Sequence, residues 1–154
     1  MEWLSLASTA LGAVIGVGST LIADRLSWRR ERAGQSFDVR RQLYADYTAA
    51  LSRMRTALNE AAQANLPTQE RPGRLRELFL APGAYEIRHQ LAITAPQAVV
   101  EAARTAFVVL RETRDLLIDG AAVESPAYTE LESRFDAAVA DLRKVMRRDL
   151  GVAE

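Results

Sequence analysis

The longest uninterrupted apolar stretch lies at the start of the chain, where residues 3–23 contain no charged side chain. A helix of this length is about 31 Å long, which matches a bilayer hydrocarbon core of roughly 30 Å. The alternative is a cleaved secretory signal, but Glu2 and no basic side chain precede the stretch, which is also longer than the apolar part of a signal peptide. We therefore predict a transmembrane anchor over residues 1–25.

The residues around the predicted span indicate its orientation. Arginines follow it closely and none precedes it, so the positive-inside rule places the N-terminus outside and the C-terminal domain in the cytoplasm. Indole rings prefer the membrane–water interface. The expected contacts with the lipid bilayer are therefore Trp3, Arg25, Trp28, Arg29, Arg30 and Arg32.

Small residues recur every fourth position within the span, which places them on one side of the helix. Such a ridge lets two backbones approach closely in a membrane. The predicted helix–helix contact consists of Ser8, Gly12, Gly16 and Thr20. We expect a homo-oligomer, with a second membrane or cytoplasmic protein as the alternative partner.

Beyond the span, apolar residues recur at helical spacing, and the alternating pattern of strands is missing. The predicted helices cover residues 26–65, 74–93 with a break near 82, 95–119 and 126–149, with Thr94 and Ser125 as N-caps. The apolar stripe of the first consists of Phe37, Tyr44, Tyr47, Leu51, Met54, Leu58, Ala61 and Asn65. The opposite face of this helix carries Arg53, Arg55, Asn59, Glu60 and Gln63.

These patterns predict an all-α fold, with the transmembrane helix followed by an antiparallel helical bundle over residues 26–154, because short connections favour antiparallel neighbours. The pattern leaves one alternative open. The stripe of residues 26–65 could face its copy in a dimer, as a coiled coil that continues the span.

Composition narrows the setting. Lys144 is the only lysine among 20 basic residues, and alanine is abundant, as in bacterial proteins encoded by GC-rich genes. We therefore place the chain in a bacterial plasma membrane. The 20 basic residues are balanced by 20 acidic ones, which argues against a nucleic-acid partner.

Little in the sequence indicates catalysis. The chain has no cysteine and a single histidine, which excludes thiol chemistry and a His-rich metal centre within one chain. Glu86 and His89 form Glu-x-x-His on a predicted helix, but a di-iron site needs a second copy of that motif. The carboxylates match arginines one helical turn away, as Glu130 does Arg134. We expect no enzymatic activity and no cofactor.

The segment 40–47 admits two interpretations. Arg40, Arg41, Tyr44 and Tyr47 are residue types favoured at protein interfaces, so they form a candidate interaction surface. Alternatively, the two tyrosines belong to the core and the arginine stems pack beside them, since both tyrosines fit the apolar stripe.

Together with the predicted span, three short motifs give the chain a resemblance to known proteins. WRRER at 28–32, RRQLYADY at 40–47 and RDLG at 148–151 make the chain resemble uncharacterised small single-span membrane proteins of GC-rich bacteria. The resemblance implies no activity. The leading hypothesis is a membrane-anchored, non-enzymatic interaction or scaffold protein that self-associates through its span and helical domain. The alternative is a pore-forming or membrane-permeabilising oligomer, similar to a holin or a toxin.

Overall fold

A computed structural model describes residues 37–64 and 67–152 of the chain. It divides the chain between Val39 and Arg40, and the helical domain discussed below is the unit that begins at Arg40. The boundary that we predict at 25/26 and the whole predicted span lie outside the described residues.

The described residues are helical and contain no strand, which confirms the all-α class. Residues 37–63 form α1. The helices that follow are α2 (Arg71–Leu80), α3 (Ala84–Thr94), α4 (Gln97–Ile118) and α5 (Pro126–Asp149). Within residues 37–64 and 67–152, no helix is long and apolar enough to cross a membrane.

The break predicted near residue 82 separates α2 from α3. Gly83 precedes α3 with φ 72°, a left-handed conformation that glycine adopts without strain. The helix before the break begins at Arg71 rather than at 74, because Pro72 is compatible with the first helical turn.

One predicted N-cap is present and the other is wrong. The Ser125 hydroxyl accepts a hydrogen bond of 3.3 Å from the backbone N–H of Tyr128 at the start of α5. Thr94 is instead the last residue of α3, and its hydroxyl donates to the carbonyl oxygen of Gln90 at 2.8 Å. The reason is Pro96, which favours an extended Ala95 and so moves the start of α4 to Gln97.

Contacts between side chains show the directions of the helices. Tyr44 contacts Asp149, whereas Arg55 contacts Glu132, so α1 and α5 run antiparallel. The short connection between α4 and α5 makes these two helices an antiparallel hairpin, and α2 and α3 pack along α4. The result is a helical bundle of four elements, in which the second element is broken into α2 and α3.

From Tyr44 to Ala61, the apolar stripe of α1 is buried within a single chain. Tyr47, Met54 and Leu58 are fully buried, and the Tyr47 hydroxyl donates to the carbonyl oxygen of Ala103 in α4 at 2.9 Å. The stripe therefore closes the bundle, and the coiled-coil seam with a second copy, which the sequence left open, does not describe this structure.

Candidate functional site

A group of three charged side chains lies between α1 and α5. The Arg55 guanidinium donates from Nε and Nη2 to Oε2 of Glu132, at 2.9 and 2.5 Å, and from Nη1 to Oδ1 of Asp136 at 2.8 Å. Its carbon Cζ also lies 5.5 Å from the centre of the Phe135 ring. Arg55 of α1 thus contacts three side chains of α5.

Burial and charge act against each other at this arginine. Burial lowers the pKa of Arg55, but the hydrogen bonds and charges of Glu132 and Asp136 outweigh that effect and raise the pKa above its usual value. The second carboxylate oxygen of Glu132, Oε1, is buried and accepts no hydrogen bond from the described residues. The carboxylate of Glu132 therefore depends on Arg55 for its compensation.

A tyrosine continues this polar contact towards the start of α5. The buried Tyr128 hydroxyl donates to the amide oxygen of Asn59, one turn beyond Arg55 on α1. Burial, with a further contribution from the Glu132 charge, raises the pKa of Tyr128 to about 12. Arg55 and Asn59, on the face of α1 opposite the apolar stripe, are half-buried against α5.

A groove of about 350 Å³ adjoins this cluster. It is lined by Thr48, Leu51, Ser52, Arg55, Phe135, Asp136, Val139 and Arg143. The Thr48 hydroxyl donates to the backbone carbonyl oxygens of Tyr44 and Ala45, and carboxylates engage the Arg55 charge. The arrangement is suited to holding two helices together.

Two of the four residues of the candidate interaction surface at 40–47 are buried. Tyr44 and Tyr47 are 3% and 0% exposed, so they belong to the core, as the packing alternative predicts. The Tyr44 hydroxyl donates to Oδ2 of Asp149 at 2.6 Å, and Nε of Arg40 lies 3.4 Å from the same oxygen. Arg41 alone of the four is exposed.

The hydroxyls of Tyr44 and Tyr47 ionise less readily in this environment than in water. Burial raises the pKa of Tyr44, and the hydrogen bond from its hydroxyl to Asp149 adds to that effect. Burial also raises the pKa of Tyr47. Both hydroxyls therefore stay protonated at pH values at which a free tyrosine begins to ionise, and they act as hydrogen-bond donors within the bundle.

A second group, between α2, α3 and α4, was missed by the sequence analysis. The rings of Phe79 and Tyr85 pack edge-on against Phe107, with centroid distances of 5.3 and 4.8 Å. Arg88 lies over the Phe107 ring and Arg114 over the Phe79 ring, each with Cζ 4.6 Å from the centroid. The cluster stabilises the packing of three helices through aromatic and cation–π contacts.

The Glu-x-x-His pair does not form part of a larger cluster in the structure. Glu86 and His89 are both exposed on α3. Within the described ranges, no three His, Asp or Glu side chains lie close enough together to hold a metal ion.

The remaining predicted site residues lie outside the described part of the chain. These are the ridge residues Ser8, Gly12, Gly16 and Thr20 and the interface residues Trp3, Arg25, Trp28, Arg29, Arg30 and Arg32. Comparison with known proteins adds no relative, since no protein family, no curated protein and no solved structure matches the chain significantly.

Proposed function

We propose that this chain is a membrane-anchored, non-enzymatic interaction protein that associates with copies of itself. Its N-terminal segment spans the bacterial plasma membrane with the N-terminus outside, and its helical bundle lies in the cytoplasm. The bundle presents outer surfaces to a partner protein or to further copies.

The observation that carries this proposal is the charge-free segment 3–23, followed at once by arginines. The bundle adds support of a different kind. Its most prominent polar cluster links Arg55 to Glu132 and Asp136 and so fastens α1 to α5. Side chains engaged in this way maintain a rigid shape, which suits a scaffold.

The burial of the α1 stripe directs the search for the self-association surface to the span. Tyr47, Leu51, Met54 and Leu58 are already covered within one chain. A second copy cannot use them without displacing α4 or α5. We therefore test the ridge around Gly12 and Gly16 first, because small residues permit close helix packing in lipid.

The experiment is native mass spectrometry of the full chain, released from nanodiscs, with the substitutions Gly12→Leu and Gly16→Leu made together. The matched control is Ala13→Leu with Val17→Leu, which adds the same residues one position further round the helix. We expect an oligomer for the wild type and the control, and monomers for the ridge variant.

Each other result has a definite meaning. A monomeric wild type contradicts self-association, and an unchanged oligomer in the ridge variant contradicts the ridge. Failure of the chain to enter nanodiscs contradicts the anchor. A ring of many copies together with dye leakage from liposomes favours the pore-forming alternative over a scaffold.

A further inference from the structure

The last two turns of α5 carry an exposed basic face. Arg143, Lys144, Arg147 and Arg148 are all exposed, and their spacing places them on one side of the helix. We call this group the α5 basic face. A chain with equal numbers of acidic and basic residues thus concentrates four positive charges within a few residues.

Attraction to the helix dipole accounts for only part of this face. The dipole favours cations within the last turn of a helix, where Arg147 and Arg148 lie. Arg143 and Lys144 lie one turn earlier. The acidic residue nearest to the end of the helix, Asp149, already accepts the Tyr44 hydrogen bond and lies beside Arg40.

The same contacts identify the end of the bundle at which the face lies. Asp149, at the end of α5, is 3.4 Å from Arg40, the first residue of the helical domain. The preceding residues, with the charge-free segment and its arginines, therefore join the bundle at the end that carries the α5 basic face. If the span is in a membrane, this end is the one tethered to it.

Distances along the helix make an electrostatic contact feasible. From Arg143 to Asp149 the helix rises by about 9 Å, which is close to the Debye length of roughly 8 Å at physiological ionic strength. The negative potential of a cytoplasmic leaflet falls off within about one Debye length, so all of these charges experience it when this end of the bundle rests on the membrane.

We propose that the α5 basic face binds anionic phospholipid headgroups, so that the bundle rests against the membrane by the end at which it is tethered. This inference rests on the proposed membrane anchor. The partner is fixed by charge complementarity, because the leaflet beside a tethered domain supplies many phosphates at high local concentration.

The test is hydrogen exchange of the full chain in two kinds of nanodisc, pure phosphatidylcholine and equal parts of phosphatidylcholine and phosphatidylglycerol. The variant is Arg143→Gln with Lys144→Gln and Arg148→Gln. The matched control removes three other exposed charges, by Arg53→Gln with Arg104→Gln and Arg111→Gln. The readout is the exchange rate of amides 143–152, the segment that carries most of the α5 basic face.

For the wild type and the control, we expect these amides to exchange about tenfold more slowly when phosphatidylglycerol is present. Each charge near an anionic surface adds to the attraction, and screening leaves part of the sum over three charges. A tenfold change corresponds to about 1.4 kcal/mol. In the variant the difference between the two lipids should vanish, and high salt should remove it from the wild type.

Three results would overturn the inference. Equal exchange in the two lipids for the wild type shows that the face does not contact headgroups. An identical lipid effect in the variant and the control assigns it to other residues. The same protection from inorganic phosphate in phosphatidylcholine nanodiscs shows a site for a free anion. Failure to enter nanodiscs at all would instead contradict the anchor.

Discussion

Replacing Arg55 with methionine tests whether the cluster between α1 and α5 stabilises the bundle. The substitution removes the guanidinium that lies 2.9 and 2.5 Å from Glu132, but it keeps an apolar stem beside Phe135. The carboxylate of Glu132 then loses the donor to its oxygen Oε2. Its other oxygen, Oε1, is buried and already accepts no hydrogen bond from the described residues.

The degree of exposure sets the expected magnitude. The side chains of Arg55 and Glu132 are 33% and 19% exposed, so the pair lies between a surface ion pair and a buried one. Exposed pairs contribute about 0.2–1 kcal/mol, whereas removing one partner of a buried pair costs about 3–5 kcal/mol. We expect Arg55→Met to lower the free energy of unfolding by about 2 kcal/mol.

The assay is urea unfolding of the full chain in mild detergent, followed by helical circular dichroism, for a double-mutant cycle of Arg55→Met and Glu132→Met. We expect a coupling energy of about 1 kcal/mol or more, because the double variant no longer leaves a lone carboxylate. The control cycle uses Arg74 and Glu77, a pair 51% and 67% exposed. Coupling below about 0.5 kcal/mol in both cycles would refute the reasoning.

Three further predictions concern single residues. Burial raises the pKa of Tyr47, so the unfolded state loses its proton first and stability should fall as pH rises above about 10; Tyr47→Phe should flatten that fall by up to about 1.4 kcal/mol per pH unit in urea titrations. Gly83→Ala should cost about 1 kcal/mol because φ is 72°, whereas Gly73→Ala, in α2 with open space around its Cβ, should stabilise by up to about 1 kcal/mol in thermal melts. Leu58→Ala should cost about 2–5 kcal/mol by urea unfolding, since the side chain is fully buried; a loss below about 1 kcal/mol would contradict its place in the core.

The helices were predictable from the sequence because their apolar spacing is regular and proline and glycine mark the breaks. Pro82 and Gly83 separate α2 from α3, and Ser125 caps α5, as the pattern predicts. Thr94 is not an N-cap, although a threonine two residues before a proline resembles the start of a helix. The competing effect was the extended residue that Pro96 favours before itself.

The polar contacts were less predictable, because they join residues far apart in sequence. Helical spacing suggested that Glu130 would pair with Arg134, but Arg134 lies 3.0 Å from Glu112 in α4. Arg55 and Glu132 are 77 positions apart, and nothing local marks either of them. Their meeting depends on α1 and α5 running antiparallel at one particular register, which a single sequence does not specify.

Arginine also blurred the assignment of the faces of the helices. Polar residues are assigned to solvent by periodicity, yet Arg88 and Arg114 lie over the rings of Phe107 and Phe79. A guanidinium stacks on an aromatic face and keeps its charge partly hydrated, so it fits a position that is apolar on one side. Almost all basic residues of this chain are arginines, so such stacking on aromatic rings can place basic residues on the inner faces of several helices.

The closed core limits how the chain can associate through its helical domain. Exposing the four buried side chains of α1 would cost about 1.5–3 kcal/mol each; they are Tyr47, Leu51, Met54 and Leu58. A dimer that uses the apolar stripe is therefore stable only if it buries these residues again. Such a dimer would exchange α1 between two chains and re-form the Tyr47–Ala103 and Arg55–Glu132 contacts across them. It would keep its helical content and core, whereas association through the span would depend on lipid or detergent. The loss of an oligomer on changing Gly12 and Gly16 therefore separates the two routes, because an exchange of α1 does not involve the span.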